Sequence, residues 1–138
     1  MAEGKIVYIA SPYAGDVEGN VAFAKAACRL AMERGCTPVA AHLLYPQMLD
    51  DTVPEQRELG IRMGLKLLEA CGEMWLCGSC VSGGMQEELK AAWRHKIPVR
   101  RISRETVAEF LHPGEDMAGT VQAMGGVGGA CDDDGQPV

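Results

Sequence analysis

The chain has 138 residues, 47% of them apolar, and a net charge of −6, which fits one domain with a substantial core. The acidity is concentrated at one end: from Pro113 onward there are five acids (Glu115, Asp116, Asp132, Asp133, Asp134) and no Lys or Arg, so residues 1–112 sum to about −1. That near-neutral body excludes the basic footprint of a nucleic-acid binder, and no segment approaches the apolar length of a membrane span.

In chain order, Lys5-Ile6-Val7-Tyr8-Ile9-Ala10 reads as a strand, with none of the basic, apolar and cleavage regions of a signal peptide before it, so a cytoplasmic location is expected. A loop, Ser11-Pro12-Tyr13-Ala14-Gly15-Asp16, leads to Asn20, the expected N-cap of a helix reaching about Arg34 and closed by Gly35. Residues 37–41 read as a second buried strand. A longer loop over residues 42–54 carries His42, Tyr45, Pro46 and the pair Asp50-Asp51. A helix is expected from about Glu55 to Cys71, with Leu59, Met63, Leu67 and Ala70 at helical spacing. Residues 73–77 form a third strand, 84–95 a helix, 98–102 a fourth strand, and Ser103 caps a last short helix through Leu111.

This alternation predicts an α/β fold: a doubly wound, Rossmann- or flavodoxin-like parallel sheet of four to five strands with helices on both faces. Residues 1–112 make the domain, and 113–138, with Gly125-Gly126-Val127-Gly128-Gly129 and an acidic triplet, read as a flexible tail. Ligands of such sheets bind beyond the carboxyl ends of the strands, where the loops after Ala10, Ala41 and Cys77 converge. No dinucleotide fingerprint or P-loop occurs, which favours a smaller ligand. Cys77-Gly78-Ser79-Cys80 has the spacing of a redox pair or half a zinc site, but Cys71, Cys131 and His42 are too scattered to complete a metal site. No metal and no cofactor are expected.

The chemistry concentrates at Ser82-Gly83-Gly84-Met85-Gln86-Glu87-Glu88, a glycine-rich turn between the third strand and the following helix. Backbone N–H groups approach an anion or sugar closely at such a turn, and a helix N-terminus favours an ionised carboxylate, although glycine and glutamate also serve ordinary turns and caps there. Helical spacing puts Glu88 beside an apolar stripe of Met85, Leu89, Ala92 and Trp93, partly desolvated. Glu87 points away with Lys90 and Arg94, as a solvated, salt-bridging residue does. Trp75 and Trp93 fit core packing; Arg57 and Arg62 could face a phosphate from the second helix, but arginines on helices usually face solvent, and they rank below Ser82.

The segments Tyr8-Ile9-Ala10-Ser11-Pro12-Tyr13 and Ser82-x-Gly84-x-x-x-Glu88, with Ala92 four residues on, resemble the nucleoside 2-deoxyribosyltransferase superfamily, which includes 2′-deoxynucleoside 5′-phosphate N-hydrolases. The resemblance covers about residues 4–102. His42-Leu43-Leu44-Tyr45-Pro46-Gln47 and residues 57–68 look closer to an uncharacterised bacterial and phage branch. The resemblance implies Glu88 as nucleophile and Tyr8 as the tyrosine that holds it. It implies substrate contacts at Ser11, Pro12, Tyr13 and Gly15 in the first loop, and at Ser82, Gly84 and Met85; His42 joins them as a polar group on a converging loop. A nucleoside or nucleotide partner and a homodimer or larger homo-oligomer follow in the same way. Active members usually carry aspartates where this chain has Gly64 and Gly72, so a noncatalytic nucleotide-binding or sensing module stands as the alternative. Glu73, Asp50, Asp51 and His42 are the candidates to replace the missing acids.

Overall fold

A computed structural model describes residues 4–12 and 16–115. Strands β1 (Ile6–Ala10), β2 (Thr37–Val39), β3 (Glu73–Cys77) and β4 (Val99–Ile102) alternate with helices α1 (Val17–Glu33), α2 (Pro54–Glu69), α3 (Gly83–Arg94) and α4 (Arg104–Ala108). The four strands form one sheet in the order β2-β1-β3-β4, every pairing parallel. The fold is therefore α/β and doubly wound, with four strands. The chain leaves β1 to one side for β2 and returns to the other for β3, so the topological switch lies between β1 and β3.

Alternation along the strands divides the core in two. Val7, Ile9, Trp75 and Cys77 face α1 and α4, packing with Phe23, Leu30 and Val107. Tyr8, Ala10, Met74 and Leu76 face α2 and α3, packing with Leu68, Met85, Ala91 and Ala92. Central β3 is buried along its whole length, which is why its sequence is an unbroken apolar run after Glu73. At the edge, β2 tolerates Pro38 because a ladder is needed on one side only.

Several boundaries differ from the sequence-based expectation, each for a local reason. The first helix starts at Val17 because Asp16, not Asn20, is its N-cap: the Asp16 side chain accepts from the Gly19 N–H at 3.1 Å, and Asn20 is buried inside the helix. The second strand stops at Val39, since the chain winds into two short 3-10 turns, Ala41–Leu43 and Tyr45–Gln47, that satisfy their own backbone groups. The last helix is shorter than expected, although Ser103 does cap it by accepting from Thr106 N–H at 3.2 Å.

The buried face of α2 also differs. It consists of Gly64 and Leu68, whereas Leu59 is exposed and Met63 and Leu67 only half-buried. Apolar periodicity cannot register a helix that packs through a glycine. Trp75 is buried in the core and donates its indole N–H to Glu73 at 3.0 Å, but Trp93 is 64% exposed; Ala91 takes the core position expected of it.

Lys96, just past α3, has φ +58°, the left-handed conformation that ends a helix, with Ile97 N–H bonding Ala92 C=O at 2.8 Å and Lys96 N–H bonding Trp93 C=O at 3.1 Å. Glycine adopts this backbone without the Cβ penalty. Lys96→Gly is expected to raise stability by about 1 kcal/mol, measured as a higher urea midpoint with unchanged slope. Pro113, Gly114 and Glu115 are described, and Glu115 accepts from the Arg29 guanidinium at 2.9 Å, which holds its carboxyl down near 2. The rest of the expected tail, residues 116–138, lies outside the described residues.

Candidate active site

A cavity of about 150 Å3 opens on the α2 and α3 side of the sheet. Its wall is drawn from separate parts of the chain. The 3-10 turns supply Ala41, His42, Tyr45 and Pro46; α2 supplies Arg57, Gly60, Ile61 and Gly64; the start of α3 supplies Ser82, Gly84, Glu87 and Glu88; and β1 supplies Tyr8. Most of this lining is apolar or glycine, with a few polar groups, the make-up of a small-molecule site.

Within the wall, the Tyr8 hydroxyl donates to Glu88 Oε2 across a separation of 80 residues. Tyr8 and Glu88 are both buried, at 1% and 8% exposure. The other oxygen, Glu88 Oε1, has no hydrogen-bond partner among the described residues. Burial pushes the Glu88 carboxyl up to about 7, against the Tyr8 hydrogen bond, which favours the ionised form. Tyr8 is pushed up as well, by burial first and then by the charge of Glu88, so it remains a donor throughout the physiological range.

The helix dipole does not decide the charge of Glu88. Ser82 is the N-cap of α3, which places Glu88 in the second turn, beyond the orphan N–H groups that favour anions. Desolvation wins instead, and the carboxylate is held near half ionisation at neutral pH. Such a group, with one oxygen fixed and the other unpartnered beside a cavity, is suited to nucleophilic or acid–base chemistry.

A family model described as "Domain of unknown function (DUF7768)" matches residues 5–102. The chain belongs to the DUF7768 family. No curated protein matches it. Among solved structures it is similar to a 2-deoxyribosyltransferase from the psychrotolerant bacterium Bacillus psychrosaccharolyticus, with a TM-score of 0.57 and 17% identity over 78% of this chain and 82% of that one. At that identity the likeness establishes a shared fold: this DUF7768 chain has the Rossmann-like architecture of that transferase.

Of the residues singled out in the sequence, Tyr8, His42, Ser82, Gly84 and Glu88 line the same cavity. Tyr13 and Gly15 lie outside the described residues. Ser11 and Pro12 are not in the lining; Ser11 is buried at 1% exposure, and its backbone hydrogen-bonds His42. Met85 is not in the lining either. It is fully buried between helix and sheet, its N–H donating to Ser82 Oγ at 3.3 Å and its sulfur accepting from Ser82 N–H at 3.5 Å, so the thioether closes a capping box. Glu87 corrects the helical projection: it pairs with Lys90 at 3.4 Å as expected, yet it also lies on the cavity rim.

Arg57 lines the cavity, whereas Arg62 pairs with Glu58 at 3.9 Å on the solvated face of α2. Burial lowers the pKa of His42, partly offset by the Ser11 hydrogen bond and by Asp51, so its imidazole is neutral at pH 7. Cys77 is a free, buried thiol that burial pushes up to about 12, so Cys77 itself is not an activated thiolate at neutral pH. Among the described residues no three His, Cys, Asp or Glu side chains are placed to hold a metal ion, and no helix is long and apolar enough to cross a membrane.

Sequence reasoning weighed Arg57 as a phosphate contact but ranked it below Ser82, and it missed Gly60 and Ile61 as cavity residues. The only available signal was their spacing with Gly64 along one side of α2, which glycine obscures.

Proposed function

We propose that this protein cleaves the N-glycosidic bond of nucleosides or nucleoside 5′-monophosphates, with Glu88 as nucleophile. The observation that carries the reading is the buried Glu88, anchored through Oε2 by Tyr8 and unpartnered at Oε1, on the wall of a cavity. The ionised carboxylate attacks the anomeric carbon, a C–O bond forms, and the C–N electron pair leaves with the base, which takes up a proton. Water then displaces Glu88 from the sugar, losing its own proton and regenerating the carboxylate. Transfer replaces this water with a second base. Ser82, whose hydroxyl hydrogen is left available by its capping role, and Arg57 suit a 5′-phosphate, which favours hydrolysis of monophosphates.

The question of the missing acids narrows in three dimensions. Gly72 is absent from the cavity lining; a Cβ there would meet Lys5 and the Ile6 carbonyl at the opposite end of the strands, so a carboxylate at 72 would not serve the site. Glu73 is engaged by Trp75 and Arg100, and Asp50 accepts from Thr52 in its turn; neither lines the cavity. Asp51, His42 and Glu87 do; His42 is neutral at pH 7 and so is no proton donor, which leaves Asp51 or Glu87 to protonate the departing base on this reading. Gly64 on the wall, where the resemblance expects an acid, favours a second reading: nucleotide binding without turnover. The half-exposed Ile61 at the cavity is consistent with a homo-oligomer that covers it, and the protein is taken to act in the cytoplasm.

The test is release of free base from a panel of ribo- and deoxyribonucleosides and their 5′-monophosphates, with Glu88→Gln in parallel. Turnover lost in the variant supports glycosidic cleavage; binding of a monophosphate with no turnover supports the second reading. Gly84 provides a sharper check on where the ligand sits. A Cβ at this position meets nothing within 4 Å, yet the residue lines the cavity. Gly84→Ala is expected to fold at least as stably as the parent while raising KM about tenfold, by filling space that the ligand uses. Unchanged KM would place the ligand elsewhere in the cavity.

A further inference from the structure

Gly64 sits in the middle of α2 at a negative, helical φ, so neither its backbone conformation nor a turn requires glycine. Alanine there would favour the helix by about 1 kcal/mol. A Cβ added at 64 lies 3.5 Å from the Ala41 methyl, an ordinary contact, but 3.2 Å from the Tyr8 hydroxyl oxygen, closer than that oxygen tolerates without moving. The hydroxyl is the one atom that a side chain at this position crowds. It is also the atom that donates to Glu88.

We propose that Gly64 is a positioning residue, whose missing side chain makes the seat for the Tyr8 hydroxyl and keeps it aligned on the Glu88 carboxylate. The inference deepens the glycosidic reading, on which Glu88 must ionise to act. A methyl at 64 pushes the hydroxyl by a few tenths of an ångström, against a hydrogen bond that favours ionised Glu88, so the carboxyl is left more dominated by burial. The other titratable groups on the cavity wall are Glu87 on the same helix as Glu88, His42, Tyr45 and Asp51 from the segment after β2, and Arg57 from α2, while Cys71 acts on Tyr8. None of them is displaced by a methyl at 64, whose neighbours are Tyr8 and Ala41. Gly60, one turn earlier on the same cavity wall, is the natural control, because its Cβ would meet only the mobile end of Leu49.

The experiment is a carbon-13 carboxyl NMR titration of Glu88, its resonance identified by its loss in Glu88→Gln. Gly64→Ala is expected to raise the midpoint by about half a pH unit or more, and Gly60→Ala to leave it in place. In a Tyr8→Phe background Gly64→Ala should move the midpoint no further, and there it should raise Tm, since the oxygen it crowds is gone. An unmoved midpoint in Gly64→Ala, a displacement that persists without the Tyr8 hydroxyl, or an equal gain in Tm in both backgrounds would each overturn the proposal. The titration needs no turnover, so it fails or stands separately from glycosidic cleavage: base release with an unmoved midpoint rejects only the role of Gly64.

Discussion

Glu88→Gln is expected to lower turnover by at least about 1,000-fold and, above pH 7, to make the protein more stable than its parent. Both effects have one cause. Glu88 is enclosed by the sheet, α2 and α3, and burial raises its carboxyl from 4.5 to about 7. Between those values the folded chain retains a proton that the unfolded chain releases. The stability contributed by the protonated form is therefore complete below about 4.5 and is lost as pH rises through about 7. Over that interval the loss reaches up to about 3 kcal/mol, because retaining one proton changes stability by about 1.4 kcal/mol for every pH unit crossed. Glutamine matches the neutral carboxyl in size and still accepts from Tyr8, so the variant does not carry this penalty. Urea denaturation at pH 5 and pH 8 should show the two proteins nearly equal at the lower pH and the variant more stable at the higher. Equal stability at both pH values would mean that Glu88 is solvated, and would remove the physical basis for its reactivity.

Tyr8→Phe is expected to reduce kcat by about 10- to 100-fold at pH 7 and to move the acidic limb of the rate profile to higher pH. The hydroxyl donates to the ionised carboxylate, and its loss raises the Glu88 midpoint from about 7 to about one pH unit higher. The ionised fraction at neutral pH then falls from about half to about a tenth, and the carboxylate also loses the group that orients it. Much of the rate should return near pH 9, where Glu88 is ionised in either protein. A uniform fall in rate with an unmoved profile would assign Tyr8 to packing alone. The substitution also leaves Glu88 Oε2 buried without its donor, at a cost of about 1–3 kcal/mol. That cost should grow as pH rises, because the hydrogen bond matters most to the charged form.

These two residues show where a linear reading succeeds and where it stops. The alternation of strand and helix, the capping role of Ser103 and the inward side of Glu88 were legible because each depends on neighbours within one helical turn or one strand. The four-residue apolar run of β3, Met74 to Cys77, was legible for the same reason. Two local projections failed. Trp93 was assigned to the core by spacing, yet Ala91 takes that position, and Glu87 was assigned to solvent, yet it also reaches the cavity rim. Met85 lies in the core, on the stripe that spacing gave it.

The sequence by itself determined the α/β class, the order of its elements and the turn at which a carboxylate meets a sheet edge, since periodicity, caps and breakers act over a few residues. Only the tertiary structure decided the state of that carboxylate. Tyr8 and Glu88 are 80 residues apart, α2 closes over them through glycines that carry no apolar signal, and Ser11 is drawn under His42 rather than into the cavity. Desolvation is a property of everything that surrounds a group. The elements that enclose Glu88 come from four separate parts of the chain, and no local pattern in the sequence records that they meet.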